Sequence, residues 1–356
     1  MKRKIFYISV LSAIALILFR AEYVMSYAKD AMNMCYEIII PSLFPFFVCS
    51  GLLIYSGFCE IISKAAQGVM RPLFNVAPAG AAAFVLGIIS GFPSGAVCAA
   101  ELYRCGNLSK SEAERLLSFC NNSGPLFIIG SVGAAVYKST ALGVILYIIH
   151  IVSSIFVGII FKNYGKNHHN SPPTHIRTNE TQISEAVSLS LTAAAKNIIT
   201  VCFSIIFFSA LSRSILDLFP LSPLFYALVS GICEFSTGIL KISGLNYDIC
   251  SKLVLTSFIV GFSGLSVHLQ VMAVTSGSGL SLKPYILGKC LHSITAAFMT
   301  AAALYCIAQF KNGLTITKPR LGASFASSAA IIGAAVILIL LIAYIVKRKK
   351  RVSSAL

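Results

Sequence analysis

Acidic residues are scarce in this chain. Its 356 residues carry 12 Asp and Glu against 28 Lys and Arg, a net charge of +16, and tryptophan is absent. Charged residues of both signs reach only 11%, where ordinary soluble domains carry about 25%. A soluble domain cannot cover its surface with so few charges, so that class is excluded. Cysteine pairing is missing too. The eleven cysteines are scattered through apolar runs with no C-x-x-C pair, so they read as small hydrophobes and imply no disulfide, no metal and no other cofactor. Long polar segments are lacking except around His168-His169-Asn170-Ser171-Pro172-Pro173-Thr174-His175. This turn-rich stretch reads as a solvated linker, because no nearby acid or thiol completes a metal shell with its histidines.

Apolar sequence fills the rest. Hydrophobic residues make up 57% and the mean hydropathy is +0.84, which predicts an all-α polytopic membrane protein. The basic runs Lys2-Arg3-Lys4 and Lys347-Arg348-Lys349-Lys350-Arg351 sit at the two ends. They read as cytoplasmic flanks attracted to anionic lipid. Nucleic-acid binding is disfavoured, since the runs are short and carry no interleaved aromatics. Residues 5–19 read as a retained first helix, because Phe19-Arg20-Ala21-Glu22 offers no small-x-small cleavage site.

Ten apolar runs are candidates to cross: 5–19, 36–58, 79–100, 117–137, 140–161, 186–211, 218–240, 252–272, 284–309 and 324–346. Gly91-Phe92-Pro93-Ser94-Gly95, Gly124-Pro125 and Gly261-Phe262-Ser263-Gly264 interrupt three of them. Such breaks are costly in lipid unless the freed backbone is buried in protein or lines a wet cavity. Charge placement fits eight spans and two re-entrant segments, 79–100 and 252–272, with Lys311, Lys318 and Arg320 then facing outside. Residues 101–116 read as an amphipathic helix lying along the interface or against the bundle, opened by the capping box Ser109-Lys110-Ser111-Glu112.

The halves echo each other. Gly91-Phe92-Pro93-Ser94-Gly95-Ala96-Val97 recurs as Gly261-Phe262-Ser263-Gly264-Leu265-Ser266-Val267, an offset of about 170 residues. Two pseudo-repeated helical halves follow, with the chain divided as an N-terminal transmembrane anchor (1–35), a first half (36–162), a polar linker (163–185), a second half (186–310) and a C-terminal helix with its basic tail (311–356). Transporters built from repeats place their substrate site where broken helices of the two halves meet.

Pro41-Ser42-Leu43-Phe44-Pro45-Phe46-Phe47, GFPSG at 91–95, Glu112-Ala113-Glu114-Arg115-Leu116-Leu117 running into Asn121-Asn122-Ser123-Gly124-Pro125, and GFSGLSVHLQ at 261–270 occur in that order. On these motifs the chain, from about residue 35 to 309, resembles the YlbJ-like sporulation integral membrane proteins. These carry two nucleoside-recognition Gate domains and are related in plan to concentrative nucleoside transporters. The chain departs from the pattern at Ala96-Val97-Cys98-Ala99, where many relatives have a second polar or proline-containing step. The resemblance implies a multi-pass protein of the mother-cell (outer forespore) membrane, moving dipicolinic acid. It carries over Gly91 to Gly95, Asn121 to Pro125, Glu234 and Gly261 to Gln270 as functional positions.

Physically, a flat aromatic dianion needs oriented amides and hydroxyls more than full charges, since a midplane lysine or arginine is expensive. Helix ends at Pro93-Ser94-Gly95 and Ser123-Gly124-Pro125 would present free N–H groups to carboxylates. The candidate substrate residues are therefore Gly91, Phe92, Pro93, Ser94, Gly95, Asn121, Asn122, Ser123, Gly124, Gly261, Ser263, Gly264, Ser266, His268 and Gln270, with direct contacts expected from Ser94, Asn121, Asn122 and Ser263. Close helix packing is the competing role for each glycine. Glu234, the most deeply placed acid, is the candidate coupling residue, with a hydrogen-bonded acid near a helix end as its plainer role. The expected partners are a small anionic solute and membrane lipid, with no nucleic acid; a homo-oligomer stays open. Rival readings are a non-transporting membrane scaffold, a carrier of a nucleoside-like solute, and an intramembrane serine protease using Ser263 with His268 or His292. The last is disfavoured because G-x-S-G is a weak match in a chain rich in Gly and Ser. The chain is expected not to be an enzyme.

Overall fold

The computed structural model describes residues 2–56, 58–165 and 183–312. The candidate run 324–346, the basic tail and the histidine-bearing part of the linker lie outside the described residues. Every regular element among the described residues is helical, and several are long and apolar enough to cross a bilayer, as a polytopic membrane protein requires.

At the N-terminus α1 (Lys2–Phe19) turns into α2 (Ala21–Met34), which runs on through a π-helical stretch (Cys35–Ile39), the axes bending by 98°. α2 docks on α10 (Ile183–Leu216), where Asp30 accepts from Arg213 at 2.8 Å and Tyr27 donates to Asp217. The expected anchor is thus fastened to the second half. α3 (Ile40–Tyr55) also lies along α10, and α4 (Phe58–Ala65) and α5 (Gln67–Phe74) lead to the broken helices.

Among the described residues four helices are long and apolar enough to span, five if the bent pair counts as one. The eight spans expected from apolar runs include 324–346, which lies outside the described residues, and the helices that qualify include Ile249–Thr275, expected to be re-entrant. The run 79–100 splits into α6 (Gly80–Ser90) and α7 (Ser94–Arg104); 117–137 splits into the end of α8 (Lys110–Cys120) and a π-helix (Leu126–Val136). The run 218–240 splits as well, into α11 (Pro223–Cys233) and α12 (Phe235–Ser243), and 252–272 into α13 (Ile249–Phe262) and α14 (Gly264–Thr275). An eleven-residue helix such as α6 rises about 16 Å, half of a hydrocarbon core. Two uninterrupted helices follow the breaks, α9 (Thr140–Phe161) and α15 (Lys283–Asn312).

This order does not run at the spacing of the sequence echo. Two interrupted helices and then one long helix occur as α6/α7, α8/π-helix, α9 and again as α11/α12, α13/α14, α15. In that order the GFPSG break corresponds to Glu234 and the Asn121–Gly124 break to Ser263. The echo at 91–95 and 261–267 does not carry over to the backbone position by position: Gly91 has positive φ, +77°, whereas its counterpart Gly261 lies within α13 and the positive φ falls on Ser263 and Gly264, +76° and +74°.

Residues 101–116 are not one interfacial helix. Glu101 to Arg104 end α7, a turn follows, and α8 begins after Ser109, whose capping box forms in both directions. α8 is buried from Ser111 to Cys120 because its charges find partners inside the protein. Glu112 closes the box and lies 3.9 Å from Arg71, Glu114 accepts the Ser281 amide at 2.8 Å, and Arg115 donates to the Tyr164 carbonyl. The sequence halves interlock: α8 and α9 pack on α15, α7 on α14, and α12 on the π-helix. At the tightest crossings glycine is required, since a Cβ at Gly87 would sit 1.7 Å from the Cys120 carbonyl oxygen and one at Gly288 2.3 Å from that of Ser118.

Candidate functional site

The four helix breaks meet. Gly91, at the end of α6, lies against the second break so closely that a Cβ there would come 2.6 Å from the Gly124 amide nitrogen. On the other side Gly264 lies against the start of α12, its would-be Cβ 3.0 Å from the Phe235 nitrogen. Rings join the two pairs: Phe92 meets Phe235 edge-on at 5.7 Å, and Phe127 meets it at 4.9 Å. Each break leaves backbone groups that only protein or water can satisfy, so their convergence indoors follows from the cost of exposing them to lipid.

Between the pairs lies a cavity of about 30 Å³, walled by Ser90, Gly91, Phe92, Ser123, Gly124, Phe127, Phe235, Ser266 and Gln270, with Leu43, Val201, Ile205 and Val267 completing it. The space admits a water or two. Ser90 Oγ, Ser266 Oγ and Gln270 Oε1 are buried in this region without hydrogen-bond partners. Unpaired polar atoms are rare in protein interiors and mark a place where a ligand, an ion or water is wanted.

Of the residues expected to bind substrate, Gly91, Phe92, Ser123, Gly124, Ser266 and Gln270 come together on this wall. Gly95 and Gly261 instead make helix crossings, their would-be Cβ atoms 2.1 Å from the Cys120 oxygen and 2.6 Å from Ser293 Cα. Pro93 and Ser94 start α7, and Ser263 Oγ donates to the Val260 carbonyl at 3.3 Å; none of the three is a wall residue. Asn121 and Asn122 are fully buried behind the wall. Asn122 donates to the Phe119 carbonyl at 2.9 Å and so closes the end of α8. Asn121 faces Tyr285 without reaching hydrogen-bond geometry, and neither of its amide atoms has a partner. Of the four residues expected to make direct contacts, Ser94, Asn121, Asn122 and Ser263, none lines this cavity, whereas Ser123, Ser266 and Gln270 do.

Glu234 is fully buried and is the N-cap of α12, its carboxylate accepting the amides of Ser236 at 3.1 Å and Thr237 at 2.7 Å. That arrangement builds the third break. A carboxylate at a helix N-terminus gains both hydrogen bonds and the favourable end of the helix dipole. His268 donates from Nδ1 to the Gly264 carbonyl at 2.7 Å and stacks between Phe262 and Tyr285. Its hydrogen bond is therefore to backbone, as is that of Ser263, and neither side chain is bonded to the other.

Two site residues escaped the sequence reading. Lys289, in the middle of α15, is fully buried, its ammonium 5.2 Å from the Phe92 ring centroid and without a hydrogen-bond partner. A lysine inside an apolar span was the available signal, since such a residue is functional by default. His150 of α9, whose Nε2 accepts the Ser123 amide at 3.1 Å, had no sequence signal beyond its place in an apolar run. Among the described residues no cluster of His, Cys, Asp and Glu is disposed to hold a metal.

No family model matches the chain, and no solved structure matches it. Over 309 residues, 76% of this chain and 75% of its relative, the sequence is 29% identical to the sporulation integral membrane protein YlbJ of Bacillus subtilis (strain 168).

Proposed function

We propose that this protein is a sporulation membrane transporter that passes a small anionic solute, an aromatic dicarboxylate such as dipicolinate, through the space between its four helix breaks. The observation that carries the reading is the convergence of those breaks on one buried cavity whose polar wall atoms lack partners, beside a buried lysine without a counter-charge. A membrane protein that only scaffolds a spore layer gains nothing from such groups, which cost stability wherever they stay unpaired. The backbone of the Ser123–Gly124 break, the Ser266 hydroxyl and the Lys289 ammonium suit carboxylates, and the Phe92, Phe127 and Phe235 rings suit a flat aromatic body. The similarity to a sporulation integral membrane protein supports the sporulation setting; the mother-cell outer forespore membrane is the location we assign. Transport, not catalysis, is the activity proposed, with Glu234 shaping the α11/α12 break on which coupled movement depends.

The test is uptake of labelled dipicolinate into liposomes containing the purified protein, with uridine and an uncharged aromatic as competitors. Saturable dipicolinate uptake that falls in Gln270→Leu and Ser266→Ala supports the reading. Uptake of uridine instead would assign a nucleoside-like cargo, and no uptake of either by well-folded protein would leave the scaffold.

A further inference from the structure

His150 stands at the centre of the molecule, 2% exposed, on the face of α9 that meets α15. Its Nε2 accepts the backbone N–H of Ser123 at 3.1 Å. With that lone pair engaged, the ring carries its one proton on Nδ1, which has no partner. Ser123 is also a wall residue of the cavity, so the amide that His150 holds is one of the donors at the break. A single lone pair on Nε2 thus has two claimants: the Ser123 amide, or a proton.

We propose that His150 is the proton-binding site of this transporter, and that protonation of Nε2 releases the Ser123 amide to a carboxylate in the cavity, so that proton and anion bind together. The inference rests on the transport reading above for its consequence, but not for its chemistry. When Nε2 gains a proton the imidazole becomes an imidazolium with N–H groups on both nitrogens, and it can no longer accept from Ser123. The freed amide then points a donor, and the ring a positive charge, towards the same neighbourhood. An anion satisfies both. Without the anion, the protonated state leaves an unpaired donor and an uncompensated buried cation, which is unfavourable. Each ligand therefore promotes the other by the reciprocity of linked binding.

The surroundings are consistent with a site of this kind. From α15, His292 lies ring to ring with His150 at 4.4 Å and donates from Nε2 to the His150 carbonyl at 2.9 Å, its own Nδ1 unpartnered; Lys289 follows on the same helix. From α8 the titratable neighbour is Cys120, beside Lys289. The π-helix and α13 present Ile128, Val132, Thr256 and Ser257, groups that do not titrate, around a second space of about 10 Å³ against His150. α5 meets α9 only further along, where Phe74 packs on Gly158. No carboxylate is among these groups, so the negative charge that balances Lys289 and a protonated His150 has to arrive with the solute.

Backbone hydrogen exchange of the peptide containing Ser123, measured on the full chain in lipid nanodiscs and corrected for intrinsic rates, reads the switch directly. Acidification is expected to lower Ser123 protection at least tenfold in the wild type. In His150→Gln, whose side-chain oxygen accepts the amide but takes no proton, protection is expected to stay constant with pH. In liposomes, an inward proton gradient is expected to speed dipicolinate uptake by the wild type and to leave uptake by His150→Gln unchanged. Constant Ser123 protection in the wild type, or gradient-driven uptake that survives in His150→Gln, overturns the proposal. A wild type that shows the exchange response yet moves no solute keeps His150 as the proton site and removes transport instead.

Discussion

Replacing Lys289 by methionine should make the protein more stable and less active at once. Lys289 is fully buried, and its ammonium lies over the face of the Phe92 ring, 5.2 Å from the centroid, with no hydrogen-bond partner. A desolvated cation–π contact returns about 2 kcal/mol. Removing an ammonium from water costs several kcal/mol even after the surroundings relax. Methionine has nearly the same length and shape and no charge to bury, and hydrophobic replacement of buried ions commonly stabilises by about 1–4 kcal/mol. Lys289→Met is therefore expected to unfold at higher temperature than the wild type in the same detergent. With no tryptophan in the chain, unfolding is followed by far-ultraviolet circular dichroism or by emission from its 14 tyrosines. Uptake of dipicolinate should fall in the same variant by ten- to a hundredfold, the loss of one charged hydrogen bond worth roughly 1.5–3 kcal/mol. A destabilised Lys289→Met that still transports would make the lysine a structural residue and refute the argument.

The remaining expectations concern the breaks. Glu234→Ala strands two buried amides and should cost about 2–4 kcal/mol, whereas Glu234→Gln keeps an acceptor for one of the two and should cost less; equal losses in thermal unfolding would show that the cap is not what matters. Gly87→Ala places a methyl 1.7 Å from the Cys120 carbonyl oxygen, a backbone atom that cannot swing aside. Its cost is expected to be about 3 kcal/mol or more, seen as lost expression or early unfolding, and a wild-type Tm would mean that α6 and α8 separate freely.

How far the sequence discloses this architecture depends on which residues make each interruption. Glycine and proline punctuate visibly, so GFPSG at 91–95, Asn121 to Pro125 and GFSG at 261–264 announce three of the four breaks. The fourth is made by a carboxylate. Glu234 takes an extended conformation and caps a new helix, and nothing in Gly231-Ile232-Cys233-Glu234-Phe235 distinguishes that from an acid inside a continuous span. The Ser109 and Glu112 capping box was legible because it is local, while the burial of α8 was not, since Arg71, Tyr164 and Ser281 come from distant sequence. The same limit hid Lys289 and His150. Their significance lies in what faces them, Phe92 in one case and the Ser123 amide in the other.

Contacts within each pair of breaks differ in kind from contacts between the pairs, and the difference says where the molecule can open. Gly91 against Gly124, with no room for a methyl group, and Gly264 against Phe235, where a methyl would be tight, are backbone-to-backbone approaches. Parting them means moving main chains that interlock at α6 with α8 and at α11 with α14. Between the pairs α7 packs on α14 and α12 on the π-helix, while at the cavity itself the contact is Phe92 and Phe127 on Phe235, side chains whose rings can turn on staggered rotamers at modest cost. A cavity of about 30 Å³ must widen severalfold to take a dicarboxylate. The cheaper way is for each pair to move as a unit, with the aromatic contact yielding. Distance labels placed on α7 and α12 should then spread during turnover, while labels on α6 and α8 keep their separation. The reverse pattern would mean that the glycine contacts, not the rings, are the hinge.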